Sequence, residues 1–263
     1  MTTSNALLPA VNLLTFPPMI DSEACRLLLA HYGVSYREEA HLFGWASVLS
    51  LWHGWTARIP LLYGGPYRLA GPQQIVDHFE HRIRPMQKLI PADKHISDEV
   101  ALDWDRLNGT FGTAVAVFAY YHLLPHRDLM TEPFSRSMPA GEQSFLKMAY
   151  PSVAALFRLL LRLNAQHANA SLAVIRSTID DIDRRLKDGR NYLAGDRFTL
   201  SDIALASSAG PVLLPQGFTA PMPSLEQMPP EMASLIGELR QHETARLVSQ
   251  IYHKHGHSRS TLG

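Results

Sequence analysis

Every strand-like run in this chain of 263 residues lies before residue 71, and from residue 98 onward every convincing pattern is helical. A chain divided in this way folds as a small mixed sheet with its own helices, joined to an all-helical unit. Strands and helices bury their apolar faces with different periods, so the division is visible in the pattern itself. Residues 11–16 (VNLLTF) form an apolar run stopped by Pro17 and Pro18, too short for a helix and read as a buried strand. Asp21 or Ser22 is placed to cap a helix on which Ala24, Leu27, Leu28 and His31 fall at helical spacing, and Gly33 stands where a C-terminal cap is expected. Residues 35–42 read as a second, more polar strand and residues 58–63 as a third. Gly64 and Gly65 offer the positive-φ positions of a tight turn into residues 67–70. Gly71-Pro72 then opens a helix with Ile75, Val76, Phe79 and Ile83 on its buried face; proline suits a first turn, where its missing N–H had no partner to lose.

The order strand, helix, strand, irregular segment, strand, strand, helix is the thioredoxin arrangement. The predicted fold class is therefore α/β plus all-α, with a thioredoxin-like domain over residues 10–84. Residues 85–97, holding Pro85 and Pro91, read as a linker, residues 98–250 as an all-helical C-terminal domain, and residues 251–263 as a mobile tail. In the helical domain Ile175, Ile179, Ile182 and Leu186 make an apolar stripe, ended by Gly189. Segments 98–123 and 141–164 are also helical, with Pro151 expected to break or kink the second. Residues 124–140 and 211–230 read as Pro-rich connections.

Hydrophobic residues make up 46% and charged residues 18%, which excludes a disordered chain. Twenty-four basic residues balance twenty-four acidic ones, so no long-range field collects nucleic acid or an anionic membrane, and neither is expected as a partner. The single cysteine, Cys25, excludes an internal disulfide and suits a reducing compartment. With no basic segment ahead of a long apolar stretch at the start, and no apolar window of about 20 residues, a cytoplasmic location is expected.

Two segments resemble the glutathione S-transferase superfamily. In the first, Arg58-Ile59-Pro60-Leu61-Leu62 leads through a glycine turn to Leu69-Ala70-Gly71-Pro72-Gln73-Gln74-Ile75. The second runs from Tyr192 to Ala204 (YLAGDRFTLSDIA). There Thr199 and Asp202 make a capping box, and Phe198 is placed to pack on Ile203 as a staple. The resemblance implies a thioredoxin-like domain followed by a helical one, glutathione as cofactor, a small-molecule substrate and a homodimer. It also implies that Ile59 precedes a cis-proline, Pro60, and offers its backbone N–H and C=O to the cysteinyl part of glutathione.

In that family a tyrosine, serine or cysteine at the end of the first strand, or just after it, donates a hydrogen bond that favours thiolate over thiol. Here the corresponding positions hold Thr15, Pro18 and Met19. Proline and methionine cannot donate, which leaves Thr15, with Ser22 nearby, as the catalytic candidates. Thr15 is equally a strand residue satisfied by backbone, Ser22 a helix cap, and Cys25 a small buried hydrophobe. The family's carboxylate and hydroxyl that open the third helix are replaced by Gly71 and Pro72, leaving that helix N-terminus and Gln73 or Gln74 to hold the γ-glutamyl group. Arg58 is placed to pair with the glycyl carboxylate, beside the aromatic cluster of Trp45, Trp52, His53 and Trp55. The tryptophans equally pack that segment onto the domain. His253, His255 and His257 sit close together in sequence, but no metal site is expected from them.

The sequence therefore predicts a glutathione S-transferase-like enzyme with an atypical site, acting on a small apolar electrophile. Two alternatives stand beside it. One is a non-catalytic relative that uses the same cleft for a different small molecule. The other is a scaffold presenting helical surface around Trp104, Phe111, Phe118, Tyr120, Tyr121 and Phe157.

Overall fold

The computed structural model describes residues 11–135 and 137–256. Four short strands, β1 (Asn12–Thr15), β2 (Arg37–Ala40), β3 (Leu61–Gly64) and β4 (Tyr67–Ala70), make one sheet in the order β2-β1-β3-β4. β1 and β2 run parallel, joined by helix α1 (Ile20–His31), while β3 pairs antiparallel with both β1 and β4. Helix α3 (Gly71–Phe79) follows β4 and packs beside α1, so Leu13 and Leu62 meet Leu28, Ile75 and Val76 in the main core.

The C-terminal domain is helical throughout its regular structure: α4 (Lys94–Arg106), α5 (Gly112–Leu123), α6 (Arg127–Ser135), α7 (Ala140–Leu160), α8 (Ala165–Leu186), α9 (Leu200–Leu213), α10 (Pro230–Leu239) and α11 (Glu243–His255). Every residue of α9 is buried, making it the axis of the domain. Its start is held as the capping motif predicts. Asp202 accepts bonds from the Thr199 N–H at 2.8 Å and hydroxyl at 2.9 Å, and from the Leu193 N–H at 2.9 Å. Phe198 stacks flat on His255, ring centroids 3.8 Å apart, with the His31 ring 5.6 Å away.

Several expectations are corrected. The segment holding the tryptophans is not irregular: it forms helix α2 (Phe43–Gly54), capped by Trp55 in the left-handed region at φ 59°. Its periodicity is invisible because apolar residues surround it on every side. Residues 124–140 contain α6, and α7 passes through Pro151 without a break. A proline inside a helix frees the carbonyl four residues before it; here that carbonyl belongs to Lys147, and it accepts a bond from Arg127 on α6. Residues 107–111 form a π-turn inside the expected 98–123 helix. Neither Asp21 nor Ser22 caps α1; the cap residue is Met19. The mobile tail predicted from residue 251 is also corrected, since α11 runs to His255 with Ile251 and Tyr252 buried. Residues 257–263, including His257, lie outside the described residues, as does residue 10 of the expected N-terminal domain.

The two domains are joined by a buried ionic cluster. Arg26 on α1 reaches Glu23 at 2.7 Å and Glu38 on β2 at 2.6 Å. Glu23 in turn accepts from the hydroxyls of Thr219 at 2.7 Å and Tyr252 at 3.0 Å, both in the C-terminal domain. Burial pushes the Glu38 carboxyl up, but the Arg26 charge and the bonds from Arg26 and Thr15 outweigh it and hold the group below its ordinary 4.5.

Two outcomes follow for stability. Arg26→Leu leaves two buried carboxylates without their cation, and is expected to lower unfolding free energy by about 3–5 kcal/mol in chemical denaturation. A carboxyl depressed in the folded state stabilises above its unfolded value and loses that contribution as pH falls through the folded one. Stability is therefore expected to drop as pH is lowered below 4.5, and Glu38→Gln to flatten that part of the profile.

Candidate functional site

The register of the sheet brings the predicted site residues to one end. Leu14 lies opposite Leu61, and Leu61 opposite Ala70. The residues following β1, preceding β3 and following β4 therefore share that end: Phe16, Ile59-Pro60 and Gly71-Pro72. The Ile59–Pro60 peptide is cis, and the Pro60 carbonyl accepts the Gly71 N–H at 2.8 Å. Gly71 has φ +79°, a conformation that a side chain would strain. Among the described residues, the N–H and C=O of Ile59 have no hydrogen-bond partner, while its side chain lies in a small core with Leu14, Phe16, Leu61 and Met138.

The two catalytic candidates are placed elsewhere in chemical terms. Thr15 is completely buried and donates its hydroxyl to Glu38 at 2.8 Å, completing the Arg26 cluster. Ser22 is equally buried and donates to the Phe16 carbonyl at 2.9 Å. Both hydroxyl protons are committed to structure, which corrects the expectation that either activates a thiol. Cys25 is buried, and burial, then the nearby Asp21 carboxylate, pushes its thiol well above the usual range, so it is a packing residue.

At the start of α3, Pro72 is buried, and the Gln73 amide bonds Asp77 at 2.9 Å. Gln74 accepts the Ala70 N–H at 2.7 Å. Arg58 has an exposed side chain and a tethered backbone, its carbonyl accepting from Ser50 at 2.6 Å and its N–H donating to Thr56 at 3.2 Å. At the entrance to α1, no side chain caps the helix, and among the described residues the N–H groups of Ile20 and Asp21 have no partner.

Beside this end of the sheet opens a cavity of about 790 Å³, walled by Phe16, the start of α2 and the facing surfaces of α5, α6 and α7. Phe16, Phe43 and Phe157 form its floor, with Phe16 5.9 Å from Phe43 and 6.1 Å from Phe157, centre to centre. Glu142 at the N-terminal turn of α7 pins that helix to the end of β2, accepting the Leu42 N–H at 2.7 Å and pairing with His41 at 2.5 Å. The lining is otherwise apolar except for Ser152 and two tyrosines. Tyr150 spends its hydroxyl on the Leu124 carbonyl at 2.8 Å. Tyr120, packed 5.3 Å from Phe157, has a hydroxyl with no partner among the described residues, and burial raises its pKa so that it stays a donor. Sequence reading assigned Tyr120 to a possible partner surface. Its place in this wall, with an unpartnered hydroxyl, depends on α7 folding over it, and no local motif signals that.

Among the described residues, no group of three or more His, Cys, Asp and Glu side chains is placed to hold a metal. His255 is stacked on Phe198, and burial, then the nearby charges of His31 and Lys254, lower its pKa to about 4.

Residues 165–215, covering α8 and α9, match the family described as glutathione S-transferase, C-terminal domain. Solved structures agree over nearly the whole chain. The β-etherase LigF from Sphingobium sp. strain SYK-6 superposes with a TM-score of 0.56 at 14% identity, covering 92% of this chain and 99% of its own. A glutathione S-transferase from Rhodospirillum rubrum F11 gives 0.55 at 16% identity, covering 90% and 91%. One from Methylobacterium radiotolerans JCM 2831, solved with glutathione sulfonate, gives 0.51 at 17%, covering 97% and 98%. The chain has the fold of the glutathione S-transferases, and its residues 165–215 are similar to that family's C-terminal domain. No curated protein sequence matches it. As in other glutathione S-transferase folds, a thioredoxin-like domain precedes a helical one. The α5–α7 wall of the cavity lies outside the matched segment.

Two variants separate structural from ligand-facing hydroxyls. Thr15→Val is expected to cost roughly 1–3 kcal/mol of stability, the value of a bond to a buried carboxylate. Tyr120→Phe is expected to leave stability within about 1 kcal/mol, while weakening binding of a carbonyl-bearing apolar probe several-fold in fluorescence titration.

Proposed function

We propose that this protein is a glutathione-dependent transferase that presents glutathione, from the Ile59 end of the sheet, to an apolar electrophile held in the cavity. The observation carrying this reading is the meeting of two features at one place. A backbone donor–acceptor pair on Ile59 is free to act as one more strand position, and Phe16 beside it floors a large apolar cavity. The glutathione sulfonate bound in a structural neighbour gives independent support.

Glutathione, when bound, supplies a thiol nucleophile. Ile59 pairs with its peptide backbone, the exposed Arg58 meets its glycyl carboxylate, and Trp45 borders both. The N-terminus of α3 at Gly71, Pro72 and Gln73 faces the γ-glutamyl carboxylate; no carboxylate or hydroxyl side chain there pairs with the ammonium group. With Thr15 and Ser22 committed elsewhere, the free N–H groups of Ile20 and Asp21 at the α1 N-terminus favour the thiolate, as helix N-termini do for cysteine thiols. Apolar walls exclude water, and Tyr120 orients a substrate carbonyl or ether oxygen. The homodimer implied by the resemblance belongs to the same reading.

One observation favours a second reading. The loss of every side-chain hydroxyl from thiol activation also suits a non-catalytic relative that holds another apolar ligand in the cavity. Calorimetric titration with reduced glutathione, paired with conjugation assays on apolar electrophiles, decides between them. Binding in the micromolar to millimolar range with turnover is expected, together with turnover in Thr15→Val proportional to its folded fraction. No heat at several millimolar glutathione, or binding without turnover and a different ligand retained in native mass spectrometry, would overturn the transferase reading.

A further inference from the structure

Stabilising a thiolate is half of activating a thiol, because the proton that leaves the sulfur needs an acceptor. The N–H groups at the start of α1 favour the anion but take up no proton, and the hydroxyls of Thr15 and Ser22 are committed. His41 is held in the manner of a base at the same end of the sheet. It follows β2 directly, and its N–H donates to the Thr15 carbonyl at 2.9 Å. That bond extends the β1–β2 ladder by one step and sets His41 alongside Phe16, which lines the cavity. The His41 Nδ1 lies 2.5 Å from Oε1 of Glu142, and Glu142 and Leu42 both line the cavity.

Glu142 determines which ring nitrogen carries the proton. Its Oε2 accepts the Leu42 N–H at 2.7 Å, and its Oε1 faces Nδ1. It stands in the first turn of α7, where a negative charge is favoured. A carboxylate accepts and does not donate, so Nδ1 holds the proton and the lone pair of the neutral ring is left on Nε2. Nε2 has no partner among the described residues and is not sealed from solvent. The His41 and Glu142 side chains are 15% and 12% exposed, packed enough to keep their orientation and still reachable. By contrast, the Asp21 carboxyl on the first turn of α1 is oriented by no hydrogen bond among the described residues. His41 and Glu142 are 101 residues apart, one in each domain, so the pair exists only where α7 meets the end of the sheet beside the cavity.

We propose that His41 is the proton acceptor of the transfer reaction, with Glu142 as its positioning residue. This rests on the glutathione-dependent reading above and assigns a residue that reading lacks. Nε2 takes the proton as the S–H bond breaks, and the sulfur electron pair forms the bond to the electrophilic carbon. The bond from that carbon to its leaving atom breaks with its own electron pair. Nε2 then returns the proton to an oxygen leaving atom, or to water where the leaving group is a halide. Nothing is oxidised or reduced. Throughout, the Nδ1 proton stays on the bond to Glu142, which favours the imidazolium while it lasts.

Side-chain nitrogen NMR of the ligand-free, full-length protein tests the arrangement without turnover. The His41 signals are identified by their loss in His41→Asn, whose amide N–H takes the place of Nδ1 beside Glu142. Wild type is expected to carry its proton on Nδ1. Glu142→Gln should reverse this, because its oxygen still accepts the Leu42 N–H while its amide N–H points at the ring. With a benzylic chloride as electrophile, both variants are expected to lower kcat about 100-fold, with KM for glutathione and circular dichroism unchanged. His41→Ala is expected to regain turnover when imidazole is added, which a structural loss would not allow. The proposal alone is overturned if the wild-type ring carries its proton on Nε2 only, or if His41→Asn conjugates at the wild-type rate. A wild type that shows the expected tautomer yet neither binds nor conjugates glutathione overturns the transferase reading and this role with it.

Discussion

Arg26 holds the architecture together. It stands on the first helix, neutralises one carboxylate on its own turn and another on the second strand, and through Glu23 reaches hydroxyls from the loop after α9 and from α11. Buried charges are costly unless every lone pair and proton finds a partner. Here Thr15, Thr219 and Tyr252 supply the missing ones, so the cluster is satisfied only when both domains are in place. The relative placement of sheet and helical domain, and with it the position of every cavity wall, follows from that requirement. The same requirement takes Thr15 away from the chemistry that its position in the sequence suggests.

The cavity is a consequence of how α6 and α7 are held. Glu142 fastens the beginning of α7 to the end of β2, and Arg127 of α6 satisfies the carbonyl that Pro151 leaves bare. With those two bonds the helix crosses the open end of the sheet without collapsing onto it, leaving a space that Phe16, Phe157 and Tyr120 border and do not fill. Helix α2 closes the other side, but its apolar residues are too many for the sheet beneath it to cover. Packing on one side and exposure on the other come from the same cause: a helix that is apolar all round has only one face against the protein.

Local patterns carried the fold well. The strand order, the glycine turn between β3 and β4, the opening of α3 at Gly71-Pro72 and the Thr199–Asp202 box are short-range features whose chemistry is complete within a few residues. Helices α2 and α6 were not legible because the first has no polar face to mark its period and the second is broken up by prolines in composition though not in structure. The site was legible only in part. The residues at the end of the sheet could be named from motif resemblance, yet the engagement of Thr15 and Ser22 depends on partners 23 and 6 residues away, brought close by folding.

By itself the sequence determined the division into a mixed sheet and a helical domain and the backbone elements that surround Ile59, because periodicity, turn chemistry and capping act over one or two turns of chain. Only the tertiary structure decided which polar groups remain free. Hydroxyls that look available in a linear reading are consumed by a buried ion cluster and a backbone carbonyl, while a tyrosine that looks like core lines an apolar cavity. Only the fold, likewise, brought Phe43 and Trp45 of α2 and Phe145, Leu156 and Leu160 of α7 to one opening. Availability is a property of three-dimensional competition for partners, and a sequence records the groups without recording which of them will meet.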